Sequence, residues 1–211
     1  MITDSEMHEL LYSVPDNVDY TTIIEEVDYQ DMPLNRINKL LYIIHHEEDF
    51  KFHDVLKAAG ILCSLGIDNG FKYIKSLVLN KDKYLNDKSY EYLLMTIKSY
   101  LVSQTTFGNE NKARISIYPC MKEIIRLSEI KRFSIARFYW VIEERDYKEY
   151  IPLIKHYLSH VINNYQERYW DIYDASVLLL KLDSEFVIEL FKKNNLLLRD
   201  FKLTNNNLND K

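Results

Sequence analysis

The strongest constraint on the fold is a segment that occurs twice along the chain. The stretch "DVLKAAGILCSL" at residues 54–65 is similar to "DIYDASVLLLKL" at residues 171–182. The matched pairs are Asp54 with Asp171, Val55 with Ile172, Ala58 with Ala175, Ala59 with Ser176, Leu62 with Leu179, and Leu65 with Leu182. The two segments are 117 residues apart, which is three times 39. This spacing predicts a repeated unit of about 39 residues.

Two further copies of the segment are expected at offsets of 39 and 78 residues. The matching apolar positions are Leu94 and Phe133 for Val55, Ile97 and Ala136 for Ala58, and Leu101 and Trp140 for Leu62. Both middle copies are degenerate, because the Leu65 position holds Gln104 and Glu143. A period near 39 with two helices per copy is typical of α-solenoids, whose neighbouring copies bury each other's apolar faces.

Apolar residues recur at three- and four-residue spacing along most of the chain, which predicts helices. The predicted helices cover 33–46, 53–65, 69–80, 88–104, 111–128, 131–145, 148–163, 168–182 and 184–194, with a short helix at 4–12. The chain has only four Gly and four Pro, too few for the frequent turns of a β-sandwich or barrel. We therefore predict an all-α fold, with an irregular helical bundle as the alternative to a solenoid.

Three regions are expected from these patterns. Residues 1–32 form a partly irregular N-terminal segment, residues 33–200 a single α-helical repeat domain, and residues 201–211 a polar tail. Within the domain, the helix at 33–46 would cap about four helix pairs. The first-helix pattern of an acidic residue, a basic residue, two small residues and Leu-Gly, here Asp54, Lys57, Ala58, Ala59, Leu65 and Gly66, resembles that of HEAT repeat proteins. The resemblance covers about 53–194 and implies a HEAT-like α-solenoid.

Composition limits the partners of this chain. The net charge is −5 and the sequence pI is about 5.7, so the chain as a whole lacks the basic footprint of a nucleic-acid-binding protein. No apolar run approaches the length of a membrane span, and "MITDSEMHEL" does not resemble a signal peptide. Cys63 and Cys120 are expected to be buried free thiols. We predict a cytoplasmic protein that binds neither nucleic acid nor a membrane.

A metal site is one alternative interpretation of the stretch from "HHEED" to "HD". His46, Asp49 and His53 could share one helix face, and helical phosphohydrolases hold metal ions with a His-Asp dyad such as His53 and Asp54. The repeat explains Asp54 without a metal, because its counterpart Asp171 also lies in the first turn of a predicted helix. A carboxylate there caps free N–H groups. We therefore predict no metal site, although the repeat does not explain His53.

Other enzymatic motifs are weaker. His156 and His160 lie four residues apart on one predicted helix, without an evident acidic third ligand. HEAT-type DNA glycosylases draw attention to Trp140 and Trp170, near Asp146 and Asp171, but those enzymes need a basic concave face. No Gly-rich phosphate loop, Gly-x-Ser-x-Gly or His-Glu-x-x-His motif is present. We predict no catalytic residues and no cofactor.

The repeat period also predicts where a partner would bind. Turns within helix pairs should lie along one edge of a solenoid, and they carry acidic residues: Asp68, Glu110, Glu144, Asp146, Asp183 and Glu185. Turns between pairs carry the basic residues Lys81, Lys83, Lys131, Arg132 and Arg168. An acidic edge attracts a basic partner and speeds its association. An ordinary solvated loop edge is the alternative interpretation.

An acidic helical repeat protein of this size is similar to the HEAT-like immunity proteins of bacterial toxin systems, including contact-dependent inhibition. The resemblance is one of architecture and charge, and it implies stoichiometric occlusion of a cognate toxin, such as a basic nuclease. A scaffold or regulatory adaptor is the alternative, and a metal-dependent phosphohydrolase or a DNA glycosylase is a more distant one. The oligomeric state is left open by the sequence.

Overall fold

The structure is a computed structural model that describes residues 2–80 and 85–203. Within these ranges the chain is entirely helical and has no strand, which confirms the predicted all-α class. The α-helices are α1 Asp4–Tyr12, α2 Leu34–His45, α3 Phe52–Ser64, α4 Asp68–Asn80, α5 Asp87–Thr106, α6 Glu110–Ile130, α7 Tyr139–Glu144, α8 Ile151–Val161, α9 Tyr169–Leu182 and α10 Ser184–Lys193. Short 3₁₀ helices join several of them.

The predicted helix at 131–145 is the one that differs most from the structure. A 3₁₀ helix begins only at Ala136, and α7 follows it at Tyr139. The Ser134 hydroxyl accepts a hydrogen bond from the Ala136 backbone N–H at 3.2 Å, an interaction that competes with helix formation. Phe133 is nevertheless buried and stacks on Tyr90 at 5.2 Å. An apolar residue such as Phe133 can therefore be buried in a connection between helices as well as in a helix.

The chain divides into two compact units. Unit 1 consists of Met1–Leu85 and Tyr92–Cys120, and unit 2 consists of Asn86–Glu91 and Met121–Lys211. Helices α5 and α6 contribute residues to both units. The predicted domain boundaries at residues 32 and 200 stay a prediction.

The core of unit 1 is built around α3. This helix contacts α1, α2 and α4, and its residues Ala58, Ala59, Ile61 and Leu62 are fully buried. Small residues permit the close approach: a Cβ on Gly70 of α4 would lie only 2.7 Å from the Ala59 carbonyl oxygen. The small residues of the repeated segment thus act as packing contacts, as their sequence pattern predicted.

The core of unit 2 is built around α9, which contacts α7, α8 and α10. Ala175 and Ser176, the counterparts of the small pair in α3, are fully buried here too. The packed chain continues beyond residue 200, because Phe201 and Leu203 are buried. Only residues 201–203 of the predicted polar tail are described, and residues 204–211 lie outside the described ranges.

Some hydrogen bonds inside each unit join residues that are 38 or 39 positions apart in the sequence. In unit 1 the side chain of Ser103 donates to the Ser64 carbonyl, 39 residues earlier, and Gln104 Nε2 donates to the Gly66 carbonyl at 2.6 Å, 38 residues earlier. In unit 2 Lys181 Nζ lies 2.6 Å from Glu143 Oε1, again 38 residues earlier. The C-terminal end of α5 therefore contacts that of α3, and the C-terminal end of α9 contacts that of α7. The assignment to a HEAT-like solenoid stays a prediction.

Candidate functional site

The two predicted binding residues of unit 1 lie at the starts of helices. Asp68 begins α4 and Glu110 begins α6. The Tyr100 hydroxyl donates to Asp68 Oδ1 at 2.7 Å, and Lys112 Nζ lies 3.8 Å from Asp68 Oδ2. Burial, followed by this hydrogen bond to a carboxylate, raises the pKa of Tyr100. Asp68 therefore connects three helices of unit 1, so part of its charge is already neutralised within the protein.

The first acidic turn of unit 2 joins α7 to the 3₁₀ helix that precedes α8. Glu144 is the last residue of α7 and is exposed, and no ion pair to it occurs among residues 2–80 and 85–203. A carboxylate at this end of a helix faces the negative end of the helix dipole. Asp146 is exposed, lies 3.1 Å from Lys148, and has a φ of 53°, in the left-handed region. The helix-end position of Glu144 is therefore unfavourable, and the backbone of Asp146 has a conformation that favours glycine.

The second acidic turn of unit 2 joins α9 to α10. Asp183 is the N-cap of α10: its Oδ1 accepts a hydrogen bond from the Phe186 backbone N–H at 3.2 Å, and its Oδ2 accepts one from Lys155. These contacts, that from Lys155 first, lower the pKa of Asp183 below its ordinary value of 3.8. Glu185 is exposed in the first turn of α10. Asp183 is thus a structural cap, whereas Glu185 points to solvent.

The two acidic turns of unit 2 are neighbours. The ion pair between Glu143 and Lys181 joins the residue before Glu144 to α9, two residues before Asp183. The sequence did not identify Lys155 and Lys181 as partners of these carboxylates. Lys155 is 28 residues from Asp183, and Lys181 is 38 residues from Glu143. The C-terminal ends of α7 and α9, to which Glu144, Asp146, Asp183 and Glu185 belong or are close in sequence, therefore lie side by side. We call these four residues the acidic turns.

The basic residues of the predicted basic edge differ from the acidic ones in their contacts. Lys81 and Lys83 lie outside the described residues. In unit 2, Lys131 lies 3.9 Å from Asp87 and over the Tyr90 ring, and Arg132 pairs with Glu167. Arg168 is buried, and its guanidinium donates to the carbonyl of Ser128 and the hydroxyl of Tyr157. This edge thus uses its described basic residues for contacts within the unit.

The possible metal ligands do not form a site. Across the described part of the chain, no three His, Cys, Asp or Glu side chains are grouped so that they could hold one metal ion. His46 stacks on Tyr42 at 4.1 Å, and His53 is largely exposed, with Nε2 3.1 Å from Asp54 Oδ1. Asp54 lies in the first turn of α3 as predicted, but no side chain caps this helix. Its counterpart Asp171 also makes no cap and binds Arg168 instead.

The remaining candidate residues for chemistry are dispersed over unit 2. His156 is exposed, with Nε2 3.6 Å from Glu129 Oε1, a carboxylate that the sequence did not indicate. Trp170 is 69% exposed and touches Tyr169 and Tyr173 edge-on. It lies in the first turn of α9, a helix of 14 residues that ends just before Asp183, so this ring and the acidic turns lie at opposite ends of the helix. At about 1.5 Å per residue, that helix is roughly 20 Å long.

A second acidic surface, which the sequence did not indicate, lies in unit 1. Residues 25–30 and the C-terminal ends of α3 and α5 line a groove of about 540 Å³. Tyr29 and Phe107 form its exposed aromatic part, with ring centroids 5.9 Å apart and an interplanar angle of 84°. The acidic residues Glu25, Glu26 and Asp28 line the same groove. We call this feature the acidic groove.

Comparison with known proteins gives no assignment: no family model, no curated protein and no solved structure matches this chain. No helix in the described ranges combines the length and the apolar character needed to cross a membrane.

Proposed function

We propose that this chain is an immunity protein that neutralises a cognate bacterial toxin, such as a basic nuclease, by stoichiometric occlusion in the cytoplasm. The observation that carries the proposal is the pair Glu144 and Glu185, which leave exposed carboxylates on neighbouring turns of unit 2. Exposed charge of one sign accelerates association with an oppositely charged surface. A nuclease presents such a surface to nucleic-acid phosphate.

Two features of the acidic turns support a role in binding. Glu144 occupies an unfavourable helix end, and Asp146 adopts a left-handed backbone conformation. Glu144 has no ion pair within the described residues to offset its unfavourable position, so a benefit outside the fold is a physical reason for it. The mechanism is competition: the carboxylates pair with the basic side chains that would otherwise contact the phosphate groups of the substrate.

The test of the function is a growth assay. A toxin domain identified from a gene next to the one for this chain is expressed in a laboratory bacterium, alone and together with the full chain. We expect the chain to restore growth and to form a complex of one to one stoichiometry. Growth that stays arrested, although both proteins are present in soluble form, rules out the immunity function. A complex without rescue indicates an adaptor instead.

The test of the acidic turns is kinetic. In the double variant Glu144→Lys and Asp146→Lys we expect association with the toxin domain to slow at least about tenfold and to lose most of its salt dependence. The matched control is Glu189→Lys and Asp200→Lys, which makes the same change in net charge elsewhere in unit 2. Equal slowing in both double variants shows a net-charge effect and removes the acidic turns from the mechanism.

A further inference from the structure

We infer that the acidic groove of unit 1 binds an extended protein segment that carries lysine or arginine beside apolar side chains. The inference deepens the proposed function and rests on it, because the segment is taken to belong to the neutralised partner. Protein interfaces are anchored by aromatic side chains at their centre. In unit 2 the exposed Trp170 lies at the far end of α9 from Asp183, whereas unit 1 combines aromatic rings and carboxylates in one groove.

The apolar side chains of the groove are exposed, and the Phe107 ring is held in place by the residues beneath it. Tyr29 and Phe107 are 49% and 47% exposed, and Val102 beside them is 38% exposed. The Phe107 ring packs over the backbone at Gly66, where a Cβ would lie only 2.6 Å from the ring. A ring held in this way loses little conformational freedom when a partner covers it. The groove therefore offers preorganised anchors to an apolar side chain.

The charge of the groove determines what else the segment must carry. Three carboxylates line it, and among the described residues no basic side chain does. The comparable clefts of unit 1 are different, since Arg36 and Lys39 line one and Lys51 lines another.

Within the groove the carboxylates differ in their availability. Glu25 pairs with Lys57, and Glu26 accepts a hydrogen bond from the Thr21 hydroxyl at 2.8 Å. Asp28 is exposed and has no ion pair within the described ranges. A cationic side chain placed beside the two rings would meet Asp28 and would also lie within reach of their negative π faces.

The combination excludes other classes of ligand. Nucleic-acid phosphate is repelled by the exposed carboxylates of Glu26 and Asp28, since within the described ranges only Glu25 is paired with a basic side chain. A metal ion needs several ligands around one point, and no such group occurs in the described part of the chain. A volume of about 540 Å³ lies within the range of sites that hold a small ligand or several side chains, which is roughly 300–1,000 Å³. A basic and apolar peptide segment satisfies the volume, the rings and the charge together.

Fluorescence anisotropy with defined peptides tests the groove without the partner. The probe is a labelled peptide of eight residues that alternates lysine and leucine, and two control peptides replace either lysine by glutamate or leucine by serine. We expect saturable binding of the lysine–leucine peptide to the full chain. The glutamate–leucine peptide should not bind, and the lysine–serine peptide should bind at least about tenfold more weakly, which corresponds to about 1.4 kcal/mol.

Variants locate the binding. Tyr29→Ala and Asp28→Lys should each weaken binding of the lysine–leucine peptide at least about tenfold. Two matched controls should leave it unchanged: Tyr165→Ala, whose ring is similarly exposed in unit 2, and Glu48→Lys, which is exposed in unit 1 outside the groove. Circular dichroism and urea denaturation check that every variant folds. If Tyr29→Ala does not fold, Asp28→Lys carries the test.

Three results overturn the inference: no binding of the lysine–leucine peptide, equal binding of the lysine–serine peptide, or equal weakening by Glu48→Lys. The growth assay separates this failure from failure of the proposed function. If the wild-type chain restores growth and Tyr29→Ala restores it equally, the groove is excluded and the function stands. If the peptide binds in the groove but the wild-type chain does not restore growth, the groove stands and the immunity function is excluded.

Discussion

Two kinds of turn in unit 2 carry charge and use it differently. Basic residues pair with other groups of the unit: buried Arg168 donates to Ser128 and Tyr157, and exposed Arg132 pairs with Glu167. Carboxylates after α7 and at the start of α10 are directed outward, with Glu144 and Glu185 exposed. A charge in a turn therefore has two different roles, and only its burial and its partners distinguish them.

The contrast has a physical basis in the number of donors that each side chain offers. A guanidinium has five N–H groups and can satisfy several carbonyl and hydroxyl oxygens at once, so Arg168 can join residues that are distant in sequence. A carboxylate only accepts, and the backbone N–H groups it can reach lie mainly at helix starts. Asp183 uses this position, whereas Glu144, at a helix end, has no such donors nearby.

The largest expected effect is loss of the Arg168 contacts. Arg168→Met keeps much of the aliphatic volume but leaves Asp171, the Ser128 carbonyl and the Tyr157 hydroxyl without their donor. We expect the free energy of unfolding to fall by about 3–5 kcal/mol in urea denaturation. The control Arg132→Met removes an exposed ion pair and should cost no more than about 1 kcal/mol. Similar losses in both variants would break the comparison.

The next largest effect is expected at Asp183, the acidic-turn residue that caps α10. Asp183→Ala removes the cap of α10 and the partner of Lys155, so we expect a loss of about 1 kcal/mol in the free energy of unfolding. The control Glu185→Ala, exposed in the same turn, should change it by less than about 0.5 kcal/mol. If the two variants are equally stable, Asp183 does not differ from its exposed neighbours.

Asp183 also predicts a pH dependence. The pKa of this carboxyl is lowered in the folded state, so the unfolded chain binds more protons and stability rises with pH. Its contribution is present above the ordinary value of 3.8 and is lost as the pH falls through the folded pKa. The stability difference between the wild-type chain and Asp183→Ala should therefore shrink when urea denaturation is repeated below about pH 4. A difference that stays constant at every pH contradicts this role.

A smaller effect of opposite sign is expected at Asp146. Its φ of 53° favours glycine, so Asp146→Gly should raise the free energy of unfolding by about 0.5 kcal/mol, after the entropy cost of glycine is subtracted. Asp146→Asn removes the charge and tolerates the same backbone conformation, so it should leave stability almost unchanged. Parallel urea denaturations measure both. A destabilised glycine variant would show that the aspartate side chain supports the turn.

The smallest effect is expected at Glu144. Glu144→Gln removes a negative charge from the C-terminal end of α7 and should raise the free energy of unfolding by about 0.3 kcal/mol at low salt. High salt should remove the gain, because the interaction is exposed. Glu189→Gln in α10 is the control and should show no gain at either salt concentration. A loss of stability in Glu144→Gln would mean that this carboxylate has a stabilising contact in the fold.

Much of the helical architecture followed from spacing in the sequence. Predicted helices such as 53–65 and 168–182 correspond to α3 Phe52–Ser64 and α9 Tyr169–Leu182, because their apolar residues recur at the helical period and are buried on one side. The prediction failed at 131–135, where Phe133 and Ile135 are buried without a helix. Apolar spacing reports burial, and burial alone does not distinguish a helix from a packed connection.

The candidate site was predicted less completely than the fold. The repeat period predicted the acidic turns as binding residues, which stays a prediction, and it did not predict their contacts. Asp68 and Asp183 proved to be bound by Tyr100 and Lys155, from other helices. The sequence did not indicate the acidic groove, because residues 25–30 form it together with residues far away in the sequence, such as Phe107.

The sequence by itself determined that the chain is all-helical and where most of the helices lie, because these properties depend on neighbours within a few turns of the chain. Only the tertiary structure decided which charges face solvent. Arg168 is buried because Ser128, 40 residues away, and Tyr157 supply acceptors for its N–H groups. The acidic groove exists because Tyr29 meets Phe107 across 78 residues. Such contacts depend on packing between distant elements, which local spacing does not encode.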